Sequence, residues 1–223
     1  MTPQQQILYN RDIPVEEQTN WLNAYWNDVN DFHLLKNIKD AAGMIIDHCM
    51  YTSSKITILQ DCDCDGLTSS AIIANYIHRI CSKEPTILIH EGKAHGLADI
   101  DLDNIIETTN LLIIPDAASN DYEQLKYLHD NGVDIVIADH HHCEKYSEDA
   151  IVVNNQLDDY PNKNFCGAGV TWQLCRQMDE ICNFDYANDL VDLCALGLCG
   201  DMMDYHEKEV RALVNIGYAN VKN

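Results

Sequence analysis

The sequence predicts an α/β fold: a parallel β-sheet flanked by helices on both faces, preceded by an N-terminal helical segment. Three observations predict it. Short apolar runs recur from residue 51 onward, longer stretches of helical period separate them, and chemistry-bearing residues fall just after the runs. Runs without polar alternation suit strands covered on both sides, as in parallel sheets.

Taken in chain order, residues 1–50 read as a helical cap, because "EEQTNWLNAYWNDVNDFHLLKNIKDAAGMIIDHCM" spaces its apolar residues at helical intervals. A second unit, residues 51–223, holds the runs "ITIL" (56–59), "TILIH" (86–90), "LLIIP" (111–115), "DIVIA" (134–138) and "AIVV" (150–153). Between the first two, "TSSAIIANYIHRIC" (68–81) sets Ile73, Ile77 and Ile80 on one helical face, with Thr68 or Ser69 placed to cap its start. The segment "YEQLKYLHDNG" (122–132) is a helix that stops at its glycine.

Composition narrows the function. The 223 residues, 46% of them hydrophobic, suffice for a sizeable core, and a formal net charge of -22 with only 14 Lys and Arg excludes tight nonspecific binding to nucleic acid. Carboxylates gathered around divalent cations are the exception, since the ions invert the local field. Ten scattered cysteines without a CxxC pair read as reduced thiols rather than a disulfide framework or a zinc site. No basic-then-apolar leader opens the chain, and no run approaches the roughly 18 apolar residues of a membrane span. The expectation is a soluble cytoplasmic protein with no membrane partner.

Ligands of open parallel sheets bind beyond the carboxyl ends of the strands. There the sequence places "DCDCDG" after the first run, Asp116 after the third and "DHHH" (139–142) after the fourth, with Asp201 following an apolar helical stretch. Three carboxylates as close as Asp61, Asp63 and Asp65 repel one another unless a cation sits among them. Extended backbone through "DCDCD" points the three aspartates one way and Cys62 and Cys64 the other, into the core. Gly66 then permits the turn into the next helix, whose start offers N–H groups to a phosphate. Oxygen donors joined by imidazole suit Mn²⁺ or Mg²⁺. Taken singly, DxDxD is also the sequence of a solvated acidic turn or a calcium loop, and a strand-end Asp is often only a helix cap. Their recurrence at successive strand ends argues for one shared site.

The order DxDxDGxTS, strand-end Asp, DHH, "CGAGVT" (166–171) and ALGxxxD resembles the DHH phosphoesterase superfamily, and within it the RecJ-like branch of single-stranded-DNA exonucleases. "NRDI" (10–13), "HLLKNIKDAAGMI" (33–45), "GKAHGL" (92–97) and "EKEVRALVNIGY" (207–218) are similar to further RecJ segments, so the resemblance covers nearly the whole chain. It implies that Asp63 and Asp65 ligate two different divalent ions, that Asp116 bridges them, and that His140 and Asp201 complete one site. Asp61 takes a place filled by His in other branches, Leu59 standing where that His falls. His141 is implied as a contact of the scissile phosphate and Asp139 as the partner that orients a histidine; Lys93, Gly167 and Gly169 join His141 as implied substrate contacts.

The resemblance also marks departures. Ala118 stands where the family often has glycine, His90 where relatives carry an arginine used toward nucleic acid, and His142 is an extra, exposed imidazole. The DHHA1 domain that follows in RecJ proteins is absent from these residues, so the expectation is the N-terminal DHH domain alone, either as an excised catalytic half or as a short protein that takes its nucleic-acid-binding surface from a partner protein. The implied activity is a two-metal phosphodiester hydrolase with two Mn²⁺ ions, Mg²⁺ being possible. Its implied substrate is single-stranded DNA or a short oligonucleotide, cut in the 5′→3′ direction. Two alternatives stand beside it: a small-substrate phosphodiesterase acting on oligoribonucleotides or cyclic dinucleotides, and a catalytically silent RecJ-like replication scaffold.

Overall fold

A computed structural model describes residues 1–89, 96–157 and 159–222. Helices α1 (Pro3–Asn10), α2 (Val15–Leu22) and α3 (Ile38–Met50) precede the first strand. Then β1 (Ile56–Gln60), α4 (Cys64–Cys81), β2 (Thr86–Ile89), α5 (Leu102–Thr108), β3 (Leu111–Pro115), α6 (Tyr122–Asp130), β4 (Asp134–Asp139) and β5 (Ile151–Asn154) build the sheet and its crossovers. Helices α7 (Gly167–Cys182), α8 (Val191–Gly200) and α9 (Lys208–Ala219) complete the described chain. Each of the five apolar runs forms a strand.

All four strand pairings are parallel, in the order β2-β1-β3-β4-β5. Alternation within the apolar runs divides them between two cores. Ile56, Ile58, Leu111, Ile113, Val136 and Ala138 pack with α3, α4, α7, α8 and α9, while Leu59, Leu112, Ile114, Ile135 and Ile137 pack with Ile105, Leu125 and Leu128 of α5 and α6. Strands β1, β3 and β4 therefore bury both faces, which is why their runs lack polar interruptions. Of the N-terminal segment, α3 belongs to the larger core, with Ile38, Ala41, Ala42 and Ile45 buried in it.

The strand order reverses direction between β1 and β3. The first crossover lies on one side of β1 and the later ones on the other, which opens a crevice at the strands' carboxyl ends. The loops after β1, β3 and β4 all reach that crevice.

The segment after β1 departs from the sequence expectation. Extended backbone ends at Gln60, and α4 begins at Cys64, four residues before the expected cap. The cause is Asp63, whose Oδ1 accepts the Gly66 N–H at 2.8 Å and satisfies a donor of the first turn. Once the helix starts there, the strand alternation is lost: Cys62 and Cys64 are exposed rather than packed inside. Thr68 and Ser69 lie within α4 and return their hydroxyls to backbone carbonyls of the preceding turn. Gly66 serves close approach rather than a turn, since a Cβ there would lie 2.5 Å from Asp61 Cβ.

Candidate metal centre

Each site residue is positioned by the element that ends beside it. Asp61 follows β1 and is buried; Asp63 caps α4; Asp65, in the first turn of α4, points its carboxylate at the start of α7. There the Gly167 and Ala168 N–H groups donate to Asp65 Oδ2 and Oδ1 at 2.6 and 3.0 Å, so the positive end of one helix holds an acidic side chain from another. Asp116 follows β3 with φ +71°, and Ala118 two residues later has φ +72°. Left-handed backbone at two non-glycine residues is strain held by the surrounding fold, and it aims Asp116 into the crevice.

These side chains converge. Ligand atoms of Asp65, His140 and Asp201 lie within 4.8 Å of one another, as do those of Asp61, Asp63 and Asp116, and those of Asp116, His140 and His141. His140 Nε2 is 3.1 Å from Asp116 Oδ1, 3.6 Å from Asp201 Oδ2 and 3.8 Å from Asp65 Oδ2. His140 and Asp116 are thus common members of overlapping groups.

The DHH turn is held from beneath by Asp139, which is fully buried. Its Oδ1 accepts from the His140 and His141 N–H groups at 2.7 and 3.1 Å and from His141 Nδ1 at 2.8 Å, and Ser119 N–H donates to Oδ2 at 3.3 Å. Burial pushes the Asp139 carboxyl upward, but the hydrogen bonds from His141 and Ser119 outweigh it and bring the value down to about 2. An ionised Asp139 fixes the orientation of the His141 ring.

Asp116 behaves oppositely. Burial first, then the negative charges of Asp65 and Asp139, push it up to about 11, and burial with the charges of Asp65 and Asp63 also raises Asp201 against the pull of His140. Among the described residues, Asp116 Oδ1 and Asp201 Oδ2 are buried oxygens with no hydrogen-bond partner. Carboxylates do not stay buried and unpaired unless a proton or a cation compensates them. A hard divalent cation fits what is present: oxygen donors, one or two imidazole nitrogens, and no thiolate among the grouped ligands.

Lys93 and His90 lie outside the described residues. Gly167 and Gly169 are buried at the start of α7, where a Cβ on Gly167 would lie 2.6 Å from Asp116 Oδ1 and one on Gly169 2.5 Å from the Phe165 ring. Gly167 lets the start of α7 approach Asp116, and Gly169 leaves room for the Phe165 ring. His142 is exposed. The sequence reading missed Ser119 and Asn154. Asn154 donates to Ser119 Oγ at 3.1 Å and to the His141 carbonyl at 3.0 Å, bracing the DHH turn from the end of β5. The strand-end rule applied to "VVNN" was the signal that could have found Asn154.

Strand order, crevice and donor set together define an α/β domain with a candidate divalent-cation centre at its topological switch point. The chain belongs to the DHH family, whose N-terminal domain matches residues 55–198. It is 39% identical over 97% of its length to YorK, an SPbeta prophage-derived protein of Bacillus subtilis (strain 168) whose name assigns it as a single-strand DNA-specific exonuclease. It is 25% identical over 84% of its length to the single-stranded-DNA-specific exonuclease RecJ of Thermus thermophilus. The chain spans 37% of the length of YorK and 28% of that RecJ. Among solved structures, exonuclease RecJ bound to manganese superposes with a TM-score of 0.76 at 25% identity, covering 85% of this chain and 49% of that one.

Proposed function

We propose that these residues form the catalytic core of a metal-dependent phosphodiester hydrolase that degrades single-stranded DNA from the 5′ end. The observation that carries the reading is the convergence of buried Asp116 and Asp201 carboxylate oxygens, neither with a hydrogen bond, on His140 Nε2 at 3.1 and 3.6 Å. The names of YorK and RecJ, and the manganese in the RecJ structure, support it.

Asp65, His140 and Asp201 would hold one ion and Asp61, Asp63 and Asp116 the other, with Asp116 placed to serve both. Two bound ions would supply an activated water and neutralise charge on the phosphate oxygens. The chain's own part is position and field. The N-terminus of α7 fixes the Asp65 carboxylate with two backbone N–H bonds, so the donor set is formed before substrate arrives. Asp139 holds the His141 ring beside Asp116 and His140, where it can contact the scissile phosphate. Main-chain bonds from His140 and His141 to the same carboxylate keep the two imidazoles in register.

Mn²⁺ is the ion of choice in this reading, and a basic partner protein or further domain would track the DNA that a chain of net charge -22 holds poorly. That charge favours one second reading, a phosphodiesterase for short oligoribonucleotides or cyclic dinucleotides. Incubation with Mn²⁺ and, side by side, 5′- and 3′-labelled single-stranded DNA, oligoribonucleotide and cyclic dinucleotide tests both. Stepwise release of 5′-terminal nucleotides from DNA is expected; cleavage confined to the cyclic or ribo substrates would replace the proposal with the second reading.

A further inference from the structure

Three of the free cysteines stand in the last turns of helices: Cys49 in α3, Cys81 in α4 and Cys182 in α7. Cys49 is buried in the larger core, and Cys81 packs half-buried against that same core. Burial first, and then the neighbouring Cys81 thiol, push the Cys49 thiol upward, while the Lys83 ammonium pulls the other way.

Lys83 is what ties the two helix ends together. Its Nζ donates to the main-chain carbonyls of His48 at 2.8 Å, of Tyr51, and of Ser54 at 3.0 Å. An ammonium has three donors, and all three are committed to carbonyls at the end of α3 and in the turn that follows it. Lys83 lies two residues after Cys81 and His48 one residue before Cys49, so the clamp brings the backbones of the two cysteines close. Cys81 Sγ bonds back to the Ile77 carbonyl at 3.2 Å, which fixes the direction of its side chain. The acidic centre uses none of these residues. With 18 residues in α4, about 27 Å of helix separates Cys81 from the metal-site acids at its start.

We propose that Cys49 and Cys81 form a modification site, a thiol pair that a peroxide converts to a disulfide stapling α3 to α4. Cys81, the more accessible of the two, reacts first. Its sulfur, as thiolate, attacks one peroxide oxygen, the O–O bond breaks, and a sulfenic acid and one water result. The Cys49 sulfur then attacks the Cys81 sulfur, the S–O bond breaks, and a second water leaves with the Cys49 proton. Two thiols lose two electrons in all, and one peroxide becomes two waters. Burial that keeps Cys49 a thiol also keeps it from reacting with peroxide directly, which sets the order of the two steps. The inference stands apart from the hydrolase reading and holds whatever substrate the acidic centre takes.

The test uses the full chain in its folded state. The wild type is treated with hydrogen peroxide until the exposed Cys62 and Cys64 have reacted, remaining thiols are alkylated with N-ethylmaleimide, and the tryptic peptides are weighed. Residues 40–55 and 80–83 each contain one cysteine and each follow and end on a basic residue, so the expected product is these two peptides joined, two hydrogens lighter than the separate pair. It should exceed every other link by about tenfold or more, because fixed neighbours react at high effective concentration. Dithiothreitol should abolish it, and Cys81→Ser should never form it. In urea the same treatment should scatter links among the other cysteines. Cys49 and Cys81 left free once Cys62 and Cys64 are consumed, joining of either to Cys182 instead, or equal selectivity in urea would overturn the proposal.

Discussion

Asp65 and Asp116 belong to the same acidic centre yet are held so differently that their removal should have unequal effects on stability. Asp65 accepts two buried backbone N–H groups at 2.6 and 3.0 Å. Asp65→Ala would orphan both donors, at about 1–3 kcal/mol each. Relief of repulsion within the acidic group returns part of this, since like charges about 4 Å apart at a protein surface cost up to about 4 kcal/mol. Asp116 is pushed upward by burial and by the charges of Asp65 and Asp139, so it favours its neutral form and contributes less of that repulsion. The net cost of Asp65→Ala in metal-free protein is therefore about 2–4 kcal/mol, well above an ordinary surface change. Asp116→Asn substitutes a neutral amide for a neutral acid, at a residue type that tolerates left-handed backbone, and should lie within about 1 kcal/mol of wild type. Urea denaturation with chelator present measures both. With Mn²⁺ at about 100 times its Kd, the wild type should gain about 2.7 kcal/mol and both variants much less. If Asp65→Ala unfolds no more easily than Asp116→Asn, or if Asp116→Asn keeps the full Mn²⁺ gain, the reasoning fails.

Because burial and the charges of Asp65 and Asp139 push Asp116 upward, Mn²⁺ binding near pH 7 should release protons and tighten as pH rises; calorimetry in two buffers of different ionisation enthalpy reads the release, and none would contradict the assignment. Asp139, depressed to about 2 against an ordinary carboxylate value near 3.9, contributes stability that is present above that ordinary value and lost as pH falls from it toward 2. Asp139→Asn should remove this acid-limb loss from pH-dependent unfolding and lower kcat by about 10–100-fold through a misplaced His141. Cys62→Ser and Cys64→Ser, at exposed thiols, should keep Mn²⁺-dependent activity and unfold within about 0.5 kcal/mol of wild type; bound Zn²⁺ lost on either change would point to a thiolate site.

The sheet was legible because its central strands are buried on both faces, and "LLIIP" or "DIVIA" admits few other environments. The site residues were legible because strand ends are where a parallel sheet exposes chemistry, and Asp116 and His140 fall there in order. The reading of "DCDCD" failed for a local reason. Strand periodicity was carried past Gln60, whereas the Asp63 carboxylate captures the Gly66 amide and starts a helix early enough to turn both cysteines outward. Long-range contacts were hidden for a different reason. That the first amides of "CGAGVT" donate to Asp65, 102 residues away, is a property of packing between α4 and α7, and no spacing along the chain encodes it.

The central claim is that these buried acids and His140 hold divalent cations, and Mn²⁺ titration followed by electron paramagnetic resonance tests it without requiring any substrate. The account predicts two Mn²⁺ bound per wild-type chain, spin-coupled through shared ligands, with the coupled signal abolished by Asp116→Asn. A chain that leaves Mn²⁺ in its free aqueous form at millimolar concentration, or binds it equally well after Asp116→Asn, would contradict it.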